Sequence, residues 1–132
     1  MLKGLNHITV AVNDLDKSFS FYVDLLGMQP HAKWNKGAYL SLGELWFCLS
    51  FDEASPSKDY SHIAFDVSAS NFPTLKSQLL SAGIEQWKQN KSEGDSLYIL
   101  DPNGHKLELH VGSLAKRLES LQKKPYDGLQ LY

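Results

Sequence analysis

Two histidines and one glutamate occupy positions from which such side chains can share a metal ion. His7 and His62 each lie in a strand-like stretch rich in β-branched residues. Glu108 is flanked by Leu107 and Leu109, and because side chains alternate along a strand, it should face away from both leucines. A carboxylate among apolar residues is costly without a partner. Two imidazole nitrogens and one carboxylate suit a divalent first-row ion and leave coordination positions open for a substrate.

The two histidines belong to an internal repeat. Residues 5–12 and 60–67 both read as strands, with a His-Ile pair at the same place in each. Each strand is followed by a segment of helical periodicity that ends at a glycine, Gly27 in the first copy and Gly83 in the second. Three short strand-like segments then follow in each copy. The sequence therefore predicts a βαβββ module that occurs twice.

Aligning the two copies places Cys48 opposite Glu108. A thiolate in that fourth position suits zinc better than manganese, so we expect three ligands and open coordination, which is typical of a catalytic site. His110 shares the strand parity of Glu108 and is a candidate to support that ligand. His105 follows a turn glycine and is expected to be exposed.

The predicted elements define an α+β fold with one domain over residues 1–132. The first module spans 1–52, the second 60–112, and a C-terminal helix and tail occupy 113–132. The remaining strands are predicted at 29–34, 38–42, 45–50, 85–88, 96–100 and 106–111, with a type I turn at 101–104 and a helix at 114–122. Asp14 and Ser70 are the expected N-caps of the two module helices. Modules of this size cannot each bury a core alone, so they should pack together or against a second chain.

Composition argues against several classes of protein. The chain has 13 Lys and Arg against 15 Asp and Glu, a formal charge of −2, which gives no general attraction to nucleic acid or anionic lipid. No apolar run approaches the length of a membrane span, and no leader-like segment precedes the first strand. A single cysteine rules out an internal disulfide and fits a reducing compartment, so we expect a cytoplasmic protein.

Dispersed stretches of the chain resemble the vicinal oxygen chelate superfamily, and within it the fosfomycin thiol transferases of the FosA type. The most specific stretches are residues 37–41, 45–50, 87–94 and 100–112, and the similarity runs nearly end to end. The resemblance implies paired βαβββ modules that form a cupped sheet in a domain-swapped type of homodimer. It also implies an enzyme that inactivates the antibiotic fosfomycin by adding glutathione to its epoxide.

The resemblance also implies roles for individual residues. His7, His62 and Glu108 would bind Mn²⁺, with His7 supplied by the partner chain. The catalytic residues would be Tyr39, which shares the thiol proton, and Thr9, which strand alternation also places on the face of His7. Substrate binding is implied for Thr9, Trp46, Tyr60, Lys88, Ser92, Ser96, Tyr98 and Arg117. Glutathione binding is implied for Trp34, Lys36 and Ser50, and K⁺ binding for Asn90, Ser92, Gly94 and Ser96, in a loop that would otherwise read as a surface turn.

Other activities are compatible with the same fold. Family members that use bacillithiol or cysteine have a cysteine at the position of Thr9, so Thr9 argues against them. An epoxide hydrolase needs a carboxylate base, and Glu44 is the nearest unassigned acid, although it lies in a predicted turn. A non-catalytic protein that binds a small ligand would leave the epoxide intact. Ile63 and Lys91 stand where tyrosine and arginine are common in the family.

Overall fold

The computed structural model covers residues 1–132, and its first sheet has four strands. They are β1 (His7–Val12), β2 (Gln29–Trp34), β3 (Gly37–Leu42) and β4 (Leu45–Phe51). The order across the sheet is β1-β4-β3-β2, with β1 parallel to β4 and the other neighbours antiparallel. Val10 and Val12 are buried, so by alternation β1 turns His7 and Thr9 toward the opposite face.

The helix after β1 begins as predicted but changes its winding. Helix α1 (Leu15–Ser20) continues directly into a π-helical turn over Phe21–Leu25. The Asp14 carboxylate accepts a hydrogen bond from the Lys17 N–H at 3.1 Å, which confirms the predicted N-cap. The π-helical turn contains Tyr22, which is fully buried with its ring centroid 4.9 Å from that of Phe47.

The second sheet repeats the first. Its strands are β5 (Ile63–Asp66), β6 (Gln86–Lys88), β7 (Ser96–Leu100) and β8 (Lys106–His110), in the order β5-β8-β7-β6. Strand β5 is parallel to β8, as β1 is to β4, and β6 is antiparallel to β7. The common strand order confirms the predicted repeat of a βαβββ module.

Helix α2 (Phe72–Ser81) does not start at the predicted cap. Ser70 is not the N-cap; Asn71 occupies that position without a side-chain cap, and the Asn71 N–H bonds instead to the Ser68 hydroxyl at 3.2 Å. An N-cap side chain usually accepts from the second or third helical N–H, and counting from Ser70 the third residue is Pro73, which has no N–H.

Helix α3 (Leu114–Lys123) agrees with the predicted C-terminal helix to within one residue at its end. The Ser113 hydroxyl caps its start and accepts from the Lys116 N–H at 3.1 Å. None of the helices is both long enough and apolar enough to cross a membrane.

The chain forms two compact units, residues 1–62 with 100–106, and residues 63–99 with 107–132. The turn after β7 therefore belongs to the first unit. It closes through the predicted bond from the Gly104 N–H to the Asp101 carbonyl, 3.0 Å. The prediction that His105 is exposed is wrong: the ring is half-buried, with Nε2 2.7 Å from the Ala11 carbonyl oxygen. Within this unit the turn packs against β1, which sequence spacing does not indicate.

The Asp101 carboxylate is the centre of this turn. Although buried, it accepts hydrogen bonds from the Tyr22 hydroxyl at 2.7 Å and from the backbone N–H groups of Asn103 at 2.8 Å and His105 at 2.9 Å. Burial and the neighbouring carboxylate raise the pKa of Tyr22 far above its usual range.

This shift predicts an unusual loss of stability in alkali. Above about pH 10 the unfolded chain loses the Tyr22 proton while the native state keeps it. The native state then binds more protons, so the Tyr22 contribution should lower the free energy of unfolding by up to about 1.4 kcal/mol per pH unit. Tyr22→Phe should be less stable near pH 8 by about 1–3 kcal/mol. The free energy of unfolding of this variant should also fall less steeply above about pH 10, because the variant has no phenol at this position. Urea unfolding of both proteins from about pH 8 to about pH 11 measures this, and parallel curves would contradict the shift.

Candidate active site and metal centre

One face of the first sheet brings together most of the site residues predicted in the first module. The register pairs His7 with Trp46, and Thr9 with Cys48, which is in turn paired with Tyr39. Paired residues point to the same face of a sheet, and here they border a cavity of about 240 Å³. The predicted residues that line it are His7, Thr9, Trp34, Lys36, Tyr39, Trp46 and Ser50, together with Cys48 and Leu49.

Four rings form a continuous series of contacts along this face. The ring centroids of His7 and Trp46 are 4.5 Å apart, those of Trp46 and Tyr39 5.3 Å, and those of Tyr39 and Trp34 4.8 Å. Trp34, Tyr39 and Trp46 nevertheless remain 44%, 41% and 39% exposed. Contiguous exposed aromatic surface commonly marks a place where a ligand or partner binds.

Both predicted metal-binding histidines are oriented through Nδ1. His7 Nδ1 lies 2.7 Å from the Asn6 side-chain oxygen, and His62 Nδ1 lies 2.8 Å from the Tyr60 carbonyl oxygen. Each acceptor is an oxygen, so a neutral ring must carry its proton on Nδ1 and its lone pair on Nε2. Metal-binding histidines are commonly fixed in this way through their other nitrogen, so the two side chains suit a metal ion.

Glu108 is buried, with 8% of its surface exposed, between the fully enclosed Leu107 and Leu109. Its Oε2 accepts a hydrogen bond from the Ser96 hydroxyl at 2.7 Å, and His110 Nδ1 lies 3.5 Å from the same oxygen. The position of His110 beside Glu108 agrees with the support predicted from their shared parity, whereas the contact of Ser96 with Glu108 was not predicted. No group of three or more His, Cys, Asp or Glu side chains within one chain is arranged to hold a metal ion.

The loop predicted to bind potassium is organised around the Asn90 amide. The amide nitrogen donates to the Gly94 carbonyl oxygen at 2.8 Å, and the amide oxygen accepts from the N–H and the hydroxyl of Ser92, each at 3.1 Å. Asn90 therefore contacts two of the other three predicted potassium-binding residues, Ser92 and Gly94, whereas the Ser96 hydroxyl is directed to Glu108.

Arg117 and Lys88, the predicted cations of the substrate site, have partners inside the second unit. Arg117 Nε lies 3.1 Å from Glu93 Oε2, and Nη2 donates to the Glu93 carbonyl oxygen at 3.2 Å. The bond to Glu93 raises the pKa of Arg117 above its usual value. Lys88 Nζ lies 4.8 Å from the ring centroid of Tyr98, a predicted substrate residue that is almost fully buried. Glu93 was missed because it is 24 residues from Arg117, and no sequence pattern links them.

Comparison with known proteins adds independent findings. The family model described as Glyoxalase/Bleomycin resistance protein/Dioxygenase superfamily matches residues 4–109. The chain is 56% identical over 134 residues to a protein of Serratia marcescens named Glutathione transferase FosA, covering 98% of this chain and 95% of that protein.

Solved structures agree with this result. The fosfomycin resistance protein FosX of Listeria monocytogenes has a TM-score of 0.82 at 28% identity, covering 91% of this chain and 99% of the other. A mutant of the same Listeria protein, solved with Mn(II) and 1S,2S-dihydroxypropylphosphonic acid, has a TM-score of 0.81 at 26% identity, covering 89% and 99%.

Proposed function

The chain belongs to the Glyoxalase/Bleomycin resistance protein/Dioxygenase superfamily, and we propose that it is a glutathione transferase that inactivates fosfomycin by adding the thiol to the epoxide. The Serratia relative is named as a glutathione transferase, and the Listeria neighbour as a fosfomycin resistance protein. The observation that carries the proposal is the cavity of the first sheet, where Thr9 and Tyr39 lie beside His7 and two further exposed aromatic side chains, Trp34 and Trp46.

His7, His62 and Glu108 are the residues that would hold Mn²⁺, with His7 from one chain and the other two from its partner. The Nδ1 contacts of both histidines and the buried Glu108 carboxylate support this set, as does the Mn(II) in the Listeria mutant. When bound, Mn²⁺ would supply a Lewis acid for the epoxide oxygen and a phosphonate oxygen. Sharing the three ligands between two chains implies a homodimer. A single chain then does not need to bring all three ligands together.

The remaining residues bind and orient the two substrates. Tyr39 shares the proton of the glutathione thiol, and the sulfur attacks the less hindered epoxide carbon. A C–S bond forms as the C–O bond breaks, and the departing alkoxide takes up a proton to become a hydroxyl. The phosphonate dianion is held by charge from Lys88 and Arg117. The other contacts that the family resemblance implies for the substrate are Thr9, Trp46, Tyr60, Ser92, Ser96 and Tyr98, of which the Ser96 hydroxyl is directed to Glu108.

The proposal includes a second cation and a glutathione path. K⁺ would bind at Asn90, Ser92, Gly94 and Ser96 and add positive field beside the phosphonate. Glutathione would enter past Trp34, Lys36 and Ser50, where the Lys36 ammonium can pair with a glutathione carboxylate. A cytoplasmic location belongs to the same proposal, since thiols are kept reduced there.

The test is to incubate metal-stripped protein with fosfomycin and glutathione, with and without Mn²⁺ and K⁺, and to follow the products. A glutathione adduct that requires Mn²⁺ and increases with K⁺ is the expected result. A diol in place of the adduct would replace the proposal with an epoxide hydrolase, for which Glu44 in the β3–β4 turn would be the first candidate base. Fosfomycin that binds and is recovered unchanged would indicate a binding protein instead.

Tyr39→Phe should lower kcat/KM for glutathione. The hydroxyl shares the thiol proton, and losing one hydrogen bond to a charged partner costs about 1.5–3 kcal/mol, or roughly 10- to 150-fold in rate. The ring should still contact Trp34 and Trp46, so the affinity for fosfomycin should stay close to that of the wild type. Steady-state kinetics with varied glutathione measures the effect, with Tyr132→Phe near the chain end as the control. An unchanged kcat/KM in Tyr39→Phe would remove Tyr39 from the catalytic residues.

A further inference from the structure

The Ser96 hydroxyl lies between two groups that compete for its single proton. Ser96 Oγ is 2.7 Å from Glu108 Oε2 and 2.6 Å from His110 Nδ1. An ionised carboxylate can only accept a hydrogen bond, whereas a hydroxyl donates one and accepts others. The Ser96 proton therefore goes to Glu108, and His110 must donate from Nδ1 to the Ser96 oxygen. The three groups form one directed chain, from His110 through Ser96 to Glu108.

The surrounding backbone holds the His110 ring in place. Gly94 and Gly112 lie against it: a Cβ added at Gly94 would be 3.0 Å from His110 Cε1, and one added at Gly112 would be 2.7 Å from His110 Nε2. Both glycines also have positive φ values, +79° and +155°, in the region that favours glycine. Because the ring is enclosed on this side, its Nδ1 is held toward Ser96 and Glu108.

We propose that His110 is a positioning residue that acts through Ser96 to fix the Glu108 carboxylate for the metal ion. The inference rests on the proposed function, because it assigns a purpose to the metal ligand of that site. It also changes the role of Ser96. Its only proton is committed to Glu108, so Ser96 orients the ligand and does not donate to the phosphonate.

A matched pair of substitutions tests the chain of hydrogen bonds. His110→Asn keeps an N–H donor near the position of Nδ1, whereas His110→Leu fills similar space without a donor. Mn²⁺ affinity, measured by electron paramagnetic resonance on metal-stripped protein, should fall about 10- to 100-fold in His110→Leu and only slightly in His110→Asn. Thermal unfolding of the metal-free proteins checks that both variants fold. Equal losses of affinity in the two variants would overturn the proposal, because they would indicate packing and not donation.

A double-mutant cycle provides the second readout. If His110 acts through Ser96, His110→Leu should have little further effect on Mn²⁺ affinity in a Ser96→Ala background. Additive losses would overturn the proposal. In metal-free wild-type protein, ¹⁵N resonances of the neutral His110 ring should show the proton on Nδ1, and a proton on Nε2 would also overturn it.

These outcomes distinguish a failure of the proposed metal site from a failure of the role of His110. A wild-type protein that binds no Mn²⁺ overturns the metal site of the proposed function, and the role of His110 with it. A wild-type protein that binds Mn²⁺, with His110→Leu binding it equally well, overturns only the role of His110.

Discussion

Replacing Glu108 with glutamine is expected to lower the affinity for Mn²⁺ by more than about 100-fold, since losing even an outer partner of a ligand costs 10- to 100-fold. Metal-dependent consumption of fosfomycin should disappear with it. Glu108 is the anionic member of the proposed ligand set, and the substitution removes its charge at nearly constant shape. The glutamine oxygen can still accept from Ser96, so the loss should come from the metal and not from the fold.

The matched control is Glu44→Gln, which removes an exposed carboxylate in the two-residue turn between β3 and β4. It should bind Mn²⁺ as the wild type does. Resonance titrations of both variants, with thermal unfolding of the metal-free proteins, compare affinity and fold separately. Wild-type affinity and activity in Glu108→Gln would remove Glu108 from the metal site. Loss of activity in Glu44→Gln alone would direct attention to the hydrolase mechanism.

Strand bounds could be predicted where turn residues delimit an alternating segment. Strands β2 and β7 match the prediction at both ends. The strand predicted at 60–67 was too long, because β5 starts only at Ile63. The residues just before it are held by local bonds, such as the Ser61 N–H to the Asp59 carboxylate at 2.8 Å. Asp and Ser side chains that bond to nearby backbone groups compete with the pairing of strands. The alternation of apolar and polar residues gives no sign of this competition.

The first helix was predicted by periodicity, but its π-helical turn was not. That turn contains Tyr22, which meets Asp101 from a position 79 residues away in the sequence. Local propensity carries no information about such a contact, and tertiary packing overrides it.

In the candidate site, too, the sequence predicted some features and did not predict others. Parity along β1 predicted that Thr9 shares the face of His7, and both residues line the cavity of the first sheet. Tyr60, which was also predicted to bind the substrate, does not line it. Most of the partners that orient the proposed ligands could not be predicted from the sequence. The contact of Ser96 with Glu108 depends on how two strands pair, and that of Arg117 with Glu93 on how a helix meets a loop. Such contacts join residues of different elements, which single-sequence patterns do not relate.

The turn at Asp101 should be the most sensitive part of the first unit. Its carboxylate accepts from the Tyr22 hydroxyl and from two backbone N–H groups, and the Asn103 side chain also donates to it at 3.2 Å. The turn is further held to β1 by His105, through the Ala11 carbonyl, and to α1 by Asn103, whose amide donates to the Ser18 hydroxyl at 3.1 Å. Removing the carboxylate therefore leaves several donors without an acceptor.

Asp101→Ala is expected to lower the free energy of unfolding by about 3–5 kcal/mol, because each buried donor left unsatisfied costs about 1–3 kcal/mol and some regain water. Urea unfolding near neutral pH measures the loss, with Asp127→Ala in the exposed tail as the control. In the double variant with Tyr22→Phe the loss should be smaller than the two single losses added together, because both changes remove the same hydrogen bond. Additive losses, or a loss no larger than that of the control, would show that Asp101 does not organise this turn.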